Sequence, residues 1–235
     1  MTHVETLGRR IDSYAAVLWD MDGTLVDTEP YWINAEMALA ERNGARWSPE
    51  QALELVGRDL LDSGRYLRTH MGLDVEPEQI VEELLDSVVA QVRREVPWRP
   101  GARELLASLQ AADIPCALVT MSYTRFVEPI LAGLPADTFT AVVTGDTVDH
   151  GKPHPEPYLT AARLLDVLAG ECLAIEDSDP GATSAAAAGC TVLCVPLHVP
   201  VAPGPGRLFA DTLAGLDPAT LLPAPGWSAV GDRST

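Results

Sequence analysis

Residues 15–28 read AAVLWDMDGTLVDT, an apolar run of strand length that ends in two aspartates, Asp20 and Asp22. Carboxylates two positions apart on an extended chain point the same way, so both can serve one centre. Ligands bind at the C-terminal ends of strands in open α/β sheets, which favours a reaction site here. The alternative is a simple Asx-type turn. A calcium loop is excluded because residues 24–26, Thr-Leu-Val, stand where further oxygen ligands would be needed.

The rest of the chain repeats this strand with helices between. Several of the runs are apolar on both faces, as strands covered on both sides should be. Further strands are predicted at 115–120, 141–145, 172–177 and 191–196. Helices are predicted at 101–111, 124–133, 155–169 and 180–189, the last three ending at or beside a glycine. This alternation predicts an α/β fold with a doubly wound parallel sheet.

The interval between the first two strands breaks the alternation. It contains no good parallel strand and predicts helices over 30–43, 49–56, 59–70 and 77–94. An insert directly after the carboxylate-bearing strand would cover the C-terminal edge of the sheet, where a lid belongs. The alternative is a helical subdomain with no part in the chemistry.

Two other segments complete the predicted domain plan. After residue 197 the chain is rich in Pro and Gly, with a last helical turn or two near 212–222. We expect a catalytic core of 1–29 and 99–222, a helical cap domain of 30–98 and a flexible C-terminal tail of 223–235.

Composition narrows the functional classes. The chain has 235 residues and a formal net charge of -18, which argues against a nucleic-acid or anionic-membrane surface. It has no apolar stretch of 18 residues and no N-terminal signal pattern, so we expect a cytoplasmic protein. No long exposed apolar stripe is evident, which favours a monomer. The 4 cysteines lie in or beside apolar runs and indicate core residues in a reducing compartment.

Polar side chains also stand at the ends of the later strands. Thr120 ends the second, where a helix cap is the alternative interpretation. Lys152 follows the third, held between Gly151 and Pro153. Glu176 and Asp177 end the fourth, and buried carboxylates there need a cation. Oxygen ligands suit Mg²⁺, and a carboxylate nucleophile with a hard metal and a lysine makes a site for phosphoryl transfer.

These motifs resemble, in order and spacing, the four motifs of the haloacid-dehalogenase-like (HAD) hydrolases. The motifs are Asp20-Met21-Asp22-Gly23-Thr24, Thr120, Gly151-Lys152-Pro153 and Glu176-Asp177-Ser178. The helical insert is similar to the cap of the branch that includes β-phosphoglucomutase and many small-metabolite phosphatases. The resemblance implies a Rossmann-like core and a small phosphorylated substrate, most commonly a sugar or polyol phosphate.

The resemblance also implies roles for individual residues. Asp20 would be the nucleophile that forms an aspartyl-phosphate, and Asp22 the general acid and base. Mg²⁺ would be held by the carboxylates of Asp20 and Asp177 and by the main-chain carbonyl of Asp22. Glu176 would serve either a metal-bound water or the neighbouring lysine.

Binding of the phosphoryl group is implied for three further residues, namely Thr120, Met121 and Lys152. In this family the turn after the first strand moves with the cap, and Gly23 would supply its backbone freedom.

The resemblance separates the branches of the family. Asp22 favours phosphate esters over haloacids, because dehalogenases lack an acid and base at this position. Mutases carry a histidine twelve residues after the nucleophile, where this chain has Trp32, and an arginine in a Gly-x-x-Arg stretch, where it has Leu60. We therefore expect a phosphatase, with a phosphosugar mutase as the alternative and an inactive phosphate-binding relative as a further one.

Substrate contacts from the cap are the least determined part of the site. Trp32, Arg58 and Arg65 are candidates. For each, core packing or surface solvation is an equal alternative.

Overall fold

The computed structural model describes residues 14–56 and 58–221. Its described part contains a six-stranded, wholly parallel sheet in the order β3-β2-β1-β4-β5-β6. The strands are β1 (Ala16–Trp19), β2 (Cys116–Val119), β3 (Ala141–Val143), β4 (Cys172–Glu176), β5 (Thr191–Cys194) and β6 (Arg207–Phe209). The predicted α/β class with a parallel sheet is confirmed.

Eight α-helices lie in the same described ranges. The four that follow β1 are α1 (Glu29–Arg42), α2 (Pro49–Leu53), α3 (Leu60–Met71) and α4 (Pro77–Val92). The four that alternate with the later strands are α5 (Ala102–Ala111), α6 (Thr124–Leu131), α7 (Glu156–Leu164) and α8 (Asp179–Ala188). Short 3-10 turns occupy Gly145–Thr147 and Ala169–Glu171.

Successive side chains along the first strand pack alternately into two separate hydrophobic cores. Val17 and Trp19 of β1 pack in one core with Leu105 of α5 and Phe126 of α6. Ala16 and Leu18 pack in the other core, which contains buried residues of α7 and α8. Because side chains alternate across a strand, this division places helices on both faces of the sheet.

The insert of α1–α4 leaves and rejoins the core at one place. Val26 forms an isolated antiparallel bridge with Trp98, and the amide of Asp27 donates to the carbonyl of Pro97 at 2.8 Å. Within the insert, α3 and α1 pack on α4, and α4 packs against α6 of the core. The insert therefore stands over the C-terminal edge of β1 and β2.

Two predicted helix ends are wrong, and one predicted helix is replaced by turns in the described residues. Helix α7 ends at Leu164 instead of 169, shortly before Asp166, whose φ of 56° takes the chain out of helical geometry. Helix α2 ends at Leu53 instead of 56. Near 212–222, residues up to 221 form turns, in which the Thr220 amide donates to Asp217 Oδ1 at 2.8 Å. Such side-chain bonds satisfy backbone groups without a helix.

The last strand, β6, was missed. It has only three residues, each half-buried, and follows a Pro- and Gly-rich segment. The predicted tail of 223–235 lies outside the described residues, as do residues 1–13 of the predicted core and Gly57 of the predicted cap. Among the described helices, none is long and apolar enough to span a membrane.

Candidate active site

A buried lysine lies at the centre of the strand-end residues. Lys152 Nζ donates to Asp20 Oδ1 at 2.7 Å, to Glu176 Oε1 at 2.7 Å and to the carbonyl of Val119 at 2.9 Å. These three bonds use all three protons of the ammonium group. The two carboxylates raise the pKa of Lys152 above its ordinary value against the opposing effect of burial. The lysine is therefore a fixed positive charge beside Asp20.

Glu176 is enclosed by donors. Besides Lys152, its carboxylate accepts from the hydroxyl of Tyr158 at 2.5 Å and of Ser178 at 3.3 Å. The carboxylate also lies against the first turn of α8, where a Cβ on Gly181 would stand 2.0 Å from Oε1. Glycine at that position lets the helix N-terminus approach the negative charge. Glu176 thus holds the lysine in place from the side opposite Asp20.

Asp20 and Asp177 each present an oxygen to which the described residues donate nothing. The Oδ2 atoms of both are buried and accept no hydrogen bond within 14–56 and 58–221. Burial raises the pKa of both carboxyls. The charge of Glu176 raises the pKa of Asp20 further, and the charge of Asp20 raises the pKa of Asp177 further. Unpaired buried carboxylate oxygens are costly unless a cation lies beside them. Together with Glu176 they form a cluster whose ligand atoms lie within 4.8 Å of one another.

Asp22 is held by hydroxyl groups. Ser122 Oγ donates to Asp22 Oδ2 at 2.7 Å, Thr120 Oγ1 donates to the same atom at 3.4 Å, and Thr28 Oγ1 donates to Oδ1. Burial raises the pKa of Asp22, while hydrogen bonds from Thr28, Ser122 and Trp32 oppose the rise. A carboxyl with a raised pKa and fixed orientation is suited to proton transfer.

The loop after β2 is built around Thr120 and Met121. The Thr120 hydroxyl accepts from the amide of Ser122 at 3.0 Å, and α6 is preceded by Tyr123 as its N-cap. The alternative interpretation of Thr120 as a helix cap is therefore wrong. Met121 Sδ accepts from the amide of Lys152 at 3.1 Å, so this loop also contacts the segment that carries the lysine.

The turn after Asp22 is packed too tightly for any residue but glycine at position 23. Gly23 has a φ of +85°, and a Cβ there would stand 1.9 Å from Asp177 Oδ2. The guanidinium of Arg99, the first residue after the insert, donates to the Gly23 carbonyl. This turn therefore connects the acidic cluster with the junction of the insert.

A cavity of about 880 Å³, open solvent at its mouth included, lies between these residues and the insert. Two of the three residues predicted to contact substrate from the cap, Trp32 and Arg58, line this cavity. Arg65 does not: its side chain is 59% exposed and pairs with Asp62 on α3. Both residues project from the outer face of that helix.

The sequence interpretation missed several residues that the fold brings to the site. Ser122 and Thr28 bind Asp22, and Tyr158 binds Glu176. Glu29 and Glu36 line the cavity. Glu36 stands one helical turn after Trp32, and this spacing was the available signal that both share a face.

A buried lysine between carboxylates, beside an acidic cluster at the C-terminal edge of a doubly wound sheet, is an arrangement suited to hydrolases of phosphate esters. The sequence matches the family model described as haloacid dehalogenase-like hydrolase over residues 17–195. The chain belongs to this family, as its four motifs indicated.

Individual relatives agree with this assignment. The chain is 38% identical over 183 residues to hexitol phosphatase A of Escherichia coli (strain K12), covering 76% of this chain and 81% of that protein. It is 32% identical over 207 residues to phosphoglycolate phosphatase of Shigella boydii serotype 4 (strain Sb227), with coverages of 77% and 81%. The predicted enzyme class, a phosphoric monoester hydrolase, is confirmed.

Among solved structures, a mutant of CbbY from Rhodobacter sphaeroides in complex with xylulose-(1,5)bisphosphate has a TM-score of 0.77 and 28% sequence identity to this chain. The match covers 86% of this chain and 96% of that one.

Proposed function

We propose that this enzyme is a Mg²⁺-dependent phosphatase that hydrolyses a small phosphorylated polyol or sugar through an aspartyl-phosphate on Asp20. One observation carries the proposal. The buried ammonium of Lys152 lies 2.7 Å from Asp20, in a cavity that also presents the carboxyl of Asp22. A nucleophile, a fixed positive charge and a proton carrier are the parts that phosphoryl transfer requires.

The acidic cluster fits a magnesium ion. Glu176 already accepts from Lys152, Tyr158 and Ser178, whereas Asp20 and Asp177 each keep a buried oxygen that is unpaired among the described residues. We therefore assign Glu176 to the lysine, and Asp20, Asp177 and the main-chain carbonyl of Asp22 to the metal. When bound, Mg²⁺ supplies positive charge that neutralises the carboxylates and the phosphoryl oxygens.

The residues of the chain then perform two displacements. A carboxylate oxygen of Asp20 forms a bond to phosphorus while the bond from phosphorus to the ester oxygen breaks, and Asp22 gives its proton to the departing alcohol. In the second step Asp22 takes a proton from water, whose oxygen attacks phosphorus and frees Asp20 as inorganic phosphate leaves. Lys152 compensates the negative charge of the phosphoryl oxygens in both steps.

We assign Thr120 and Met121 to the binding of the phosphoryl group, with Lys152. Both residues line the cavity in the loop after β2, and the same loop provides Ser122 to Asp22. The hydroxyl of Thr120 lies 3.4 Å from Asp22 Oδ2, which is a long and weak hydrogen bond. We propose that an oxygen of the bound phosphate replaces Asp22 as the partner of this hydroxyl.

We also propose that 30–98 acts as a cap over a core of 1–29 and 99–222. The closeness of the two junctions, at Val26 and Trp98, supports this division because a pair of adjacent linkers can act as a hinge. The walls of the cavity come from both parts, so closure would shield the reaction from water entering at the wrong step.

A phosphatase acting on a monophosphate fits the cavity better than a mutase. A mutase must bind a second phosphate in the cap, but the described residues of α1–α4 and their loops that line the cavity include two carboxylates, Glu29 and Glu36, and one cation, Arg58. Trp32 contacts Asp22 where mutases have a histidine, and an indole cannot exchange a proton with it. The names of two relatives, hexitol phosphatase and phosphoglycolate phosphatase, support a small metabolite. The expectations of a cytoplasmic monomer that binds no nucleic acid remain predictions.

The test is phosphate release from hexitol 6-phosphates, sugar phosphates and phosphoglycolate, with Mg²⁺ and after chelation with EDTA. We expect the wild type to release phosphate in the presence of Mg²⁺ and not after chelation. The Asp20→Asn variant should release none under either condition. Isomerisation of glucose 1-phosphate without release of phosphate would overturn the proposal in favour of a mutase. A folded wild-type protein that releases no phosphate from any substrate would indicate an inactive relative.

A further inference from the structure

One face of α1 points into the cavity from the side opposite the strand ends. Glu29, Trp32 and Glu36 line the cavity at a spacing of one and two helical turns. Glu36 is the most deeply placed of the three, with 4% of its surface exposed. The indole Nε1 of Trp47 donates to Glu36 Oε2 at 2.8 Å. One oxygen of this carboxylate is therefore fixed in direction.

A buried carboxylate with this environment needs a partner. Burial raises the pKa of Glu36 to about 7, and the bond from Trp47 opposes the rise. The indole is the one hydrogen bond that the structure gives to the Glu36 side chain within its described residues. Trp47 is itself 7% exposed and packs in the core of the insert, so the pair is rigid. A rigid, half-satisfied acceptor on a cavity wall is a ready site for a hydroxyl donor.

The part of the cavity lining that comes from α1–α4 and their loops is called the cap wall. Besides Glu36, it contains apolar and charged residues. Its apolar part consists of Leu55, Val56, Leu60, Val81 and Leu84. The guanidinium of Arg58 lies 5.4 Å from the ring centroid of Tyr66, on the exposed side of the wall. Glu29, whose pKa is raised to about 8 first by burial and then by Glu36, adds a second carboxyl.

The charge of this wall selects against some ligands. A second phosphate would lose hydration beside Glu29 and Glu36, and the charged form of either carboxyl would repel it. Hydroxyl groups, in contrast, can donate to the carboxylate without electrostatic cost.

We infer, on the basis of the proposed phosphatase function, that Glu36 positioned by Trp47 binds hydroxyl groups of a singly phosphorylated polyol or sugar and sets the specificity of the enzyme. A site built to bind a hydroxyl rejects substrates without one, because its buried polar group is then left unpaired. The competing account is that Glu36 only holds Trp47 and thereby the insert.

The experiment compares Glu36→Gln with Glu41→Gln, an exposed position on the same helix. Glutamine keeps the volume and can still accept from Trp47, so folding is retained and is checked by thermal melting. Steady-state kinetics are measured on a hexitol 6-phosphate, on the corresponding hexitol bisphosphate and on p-nitrophenyl phosphate, which has no hydroxyl beyond its phosphate. Trp47→Phe, which keeps the ring but removes its donor, is a second variant.

Glu36→Gln should raise KM for the hexitol 6-phosphate by about tenfold, with kcat within about twofold of wild type. Its kcat/KM for p-nitrophenyl phosphate should stay within about twofold, and Glu41→Gln should match wild type on every substrate. Trp47→Phe should raise KM for the hexitol phosphate by roughly threefold. Wild type should prefer the monophosphate over the bisphosphate.

Equal losses on both monophosphates, or an unchanged KM for the hexitol phosphate, would overturn the inference and leave the phosphatase proposal intact. A preference of wild type for the bisphosphate would also overturn it. Wild type that hydrolyses none of the three substrates would instead refute the proposed function.

Discussion

The two sides of the cavity are held in different ways. On the core side, Lys152 donates three hydrogen bonds and Glu176 accepts three, all from buried groups. On the cap side, Arg58 is exposed, and Glu36 has one hydrogen bond within the described residues, from Trp47. Lys152 and Glu176 are thus each held by three buried partners, whereas the structure gives Glu36 a single partner among the described residues. We therefore propose that the core fixes the reaction and that the cap selects the substrate.

Asp20→Asn should have the largest effect of the substitutions considered. The amide cannot form the acyl phosphate but has the same shape, so we expect kcat to fall roughly 10⁴-fold or more on every substrate. Phosphate release and rapid-quench detection of phosphoenzyme measure this. If turnover persisted with phosphoenzyme still formed, the nucleophile would lie elsewhere.

Lys152→Met should reduce kcat by about 10³-fold, because the fixed positive charge at the phosphoryl group is lost. It also removes the ammonium that compensates the buried charges of Asp20 and Glu176, so stability should fall by about 3 kcal/mol. Denaturant unfolding beside kinetics separates the two effects. A stable variant with normal turnover would show that the core side is not fixed by this charge.

Asp22→Asn should reduce kcat for an alkyl phosphate by about 10²-fold and for p-nitrophenyl phosphate by much less, because nitrophenolate leaves without a proton. The measurement is the ratio of the two rates in variant and wild type. An unchanged ratio would remove Asp22 from the role of acid.

Gly23→Ala tests the packing of the turn that connects the acidic cluster with the insert. A Cβ at Gly23 would meet Asp177, whereas one at Gly44, which has a similar φ of +64°, meets nothing within 4 Å. Gly44→Ala should therefore cost about 1 kcal/mol of stability, the backbone strain alone, and leave kcat unchanged. Gly23→Ala should in addition lower kcat/KM by roughly tenfold. Equal effects of the two substitutions in unfolding and kinetics would contradict the packing at Asp177.

Arg125→Ala should have the smallest effect. Arg125 of α6 pairs with Glu82 and Asp86 of α4, so it joins core and insert, but all three side chains are at least 45% exposed. We expect a loss of under about 1 kcal/mol that disappears at high salt. The matched control is Arg65→Ala, which removes a pair within α3. A large change in kcat for Arg125→Ala alone would show that surface charges govern the docking of the insert.

The sequence allowed most of the core to be predicted because its signals are local. Each of the five predicted strands appears within two residues of its expected bounds, and apolar runs ending in polar residues were sufficient for this. Strand β6 escaped because three half-buried residues carry no periodicity. The meeting of Asp20, Lys152 and Asp177 was predictable because parallel strands share one carboxyl edge.

The contacts of the cap side were not predictable in this way. Trp47 and Glu36 are 11 residues apart, and nothing in their spacing indicates that the loop after α1 folds back on that helix. Arg58 and Arg65 are both arginines of the predicted cap, but Arg58, in the loop before α3, lines the cavity, whereas Arg65 pairs with Asp62 on α3.

The order of the strands and helices and the residue types at the strand ends, and with them the class of chemistry, could be read from the amino-acid sequence. Those properties follow from local patterning and from the geometry shared by all parallel sheets. Only the tertiary structure decided that Tyr158, Ser178 and Gly181 surround Glu176, and that Glu36 faces the cavity. The contact of Tyr158 with Glu176 joins residues 18 positions apart, and the direction that α1 gives to Glu36 depends on how helices pack, which a single sequence does not specify.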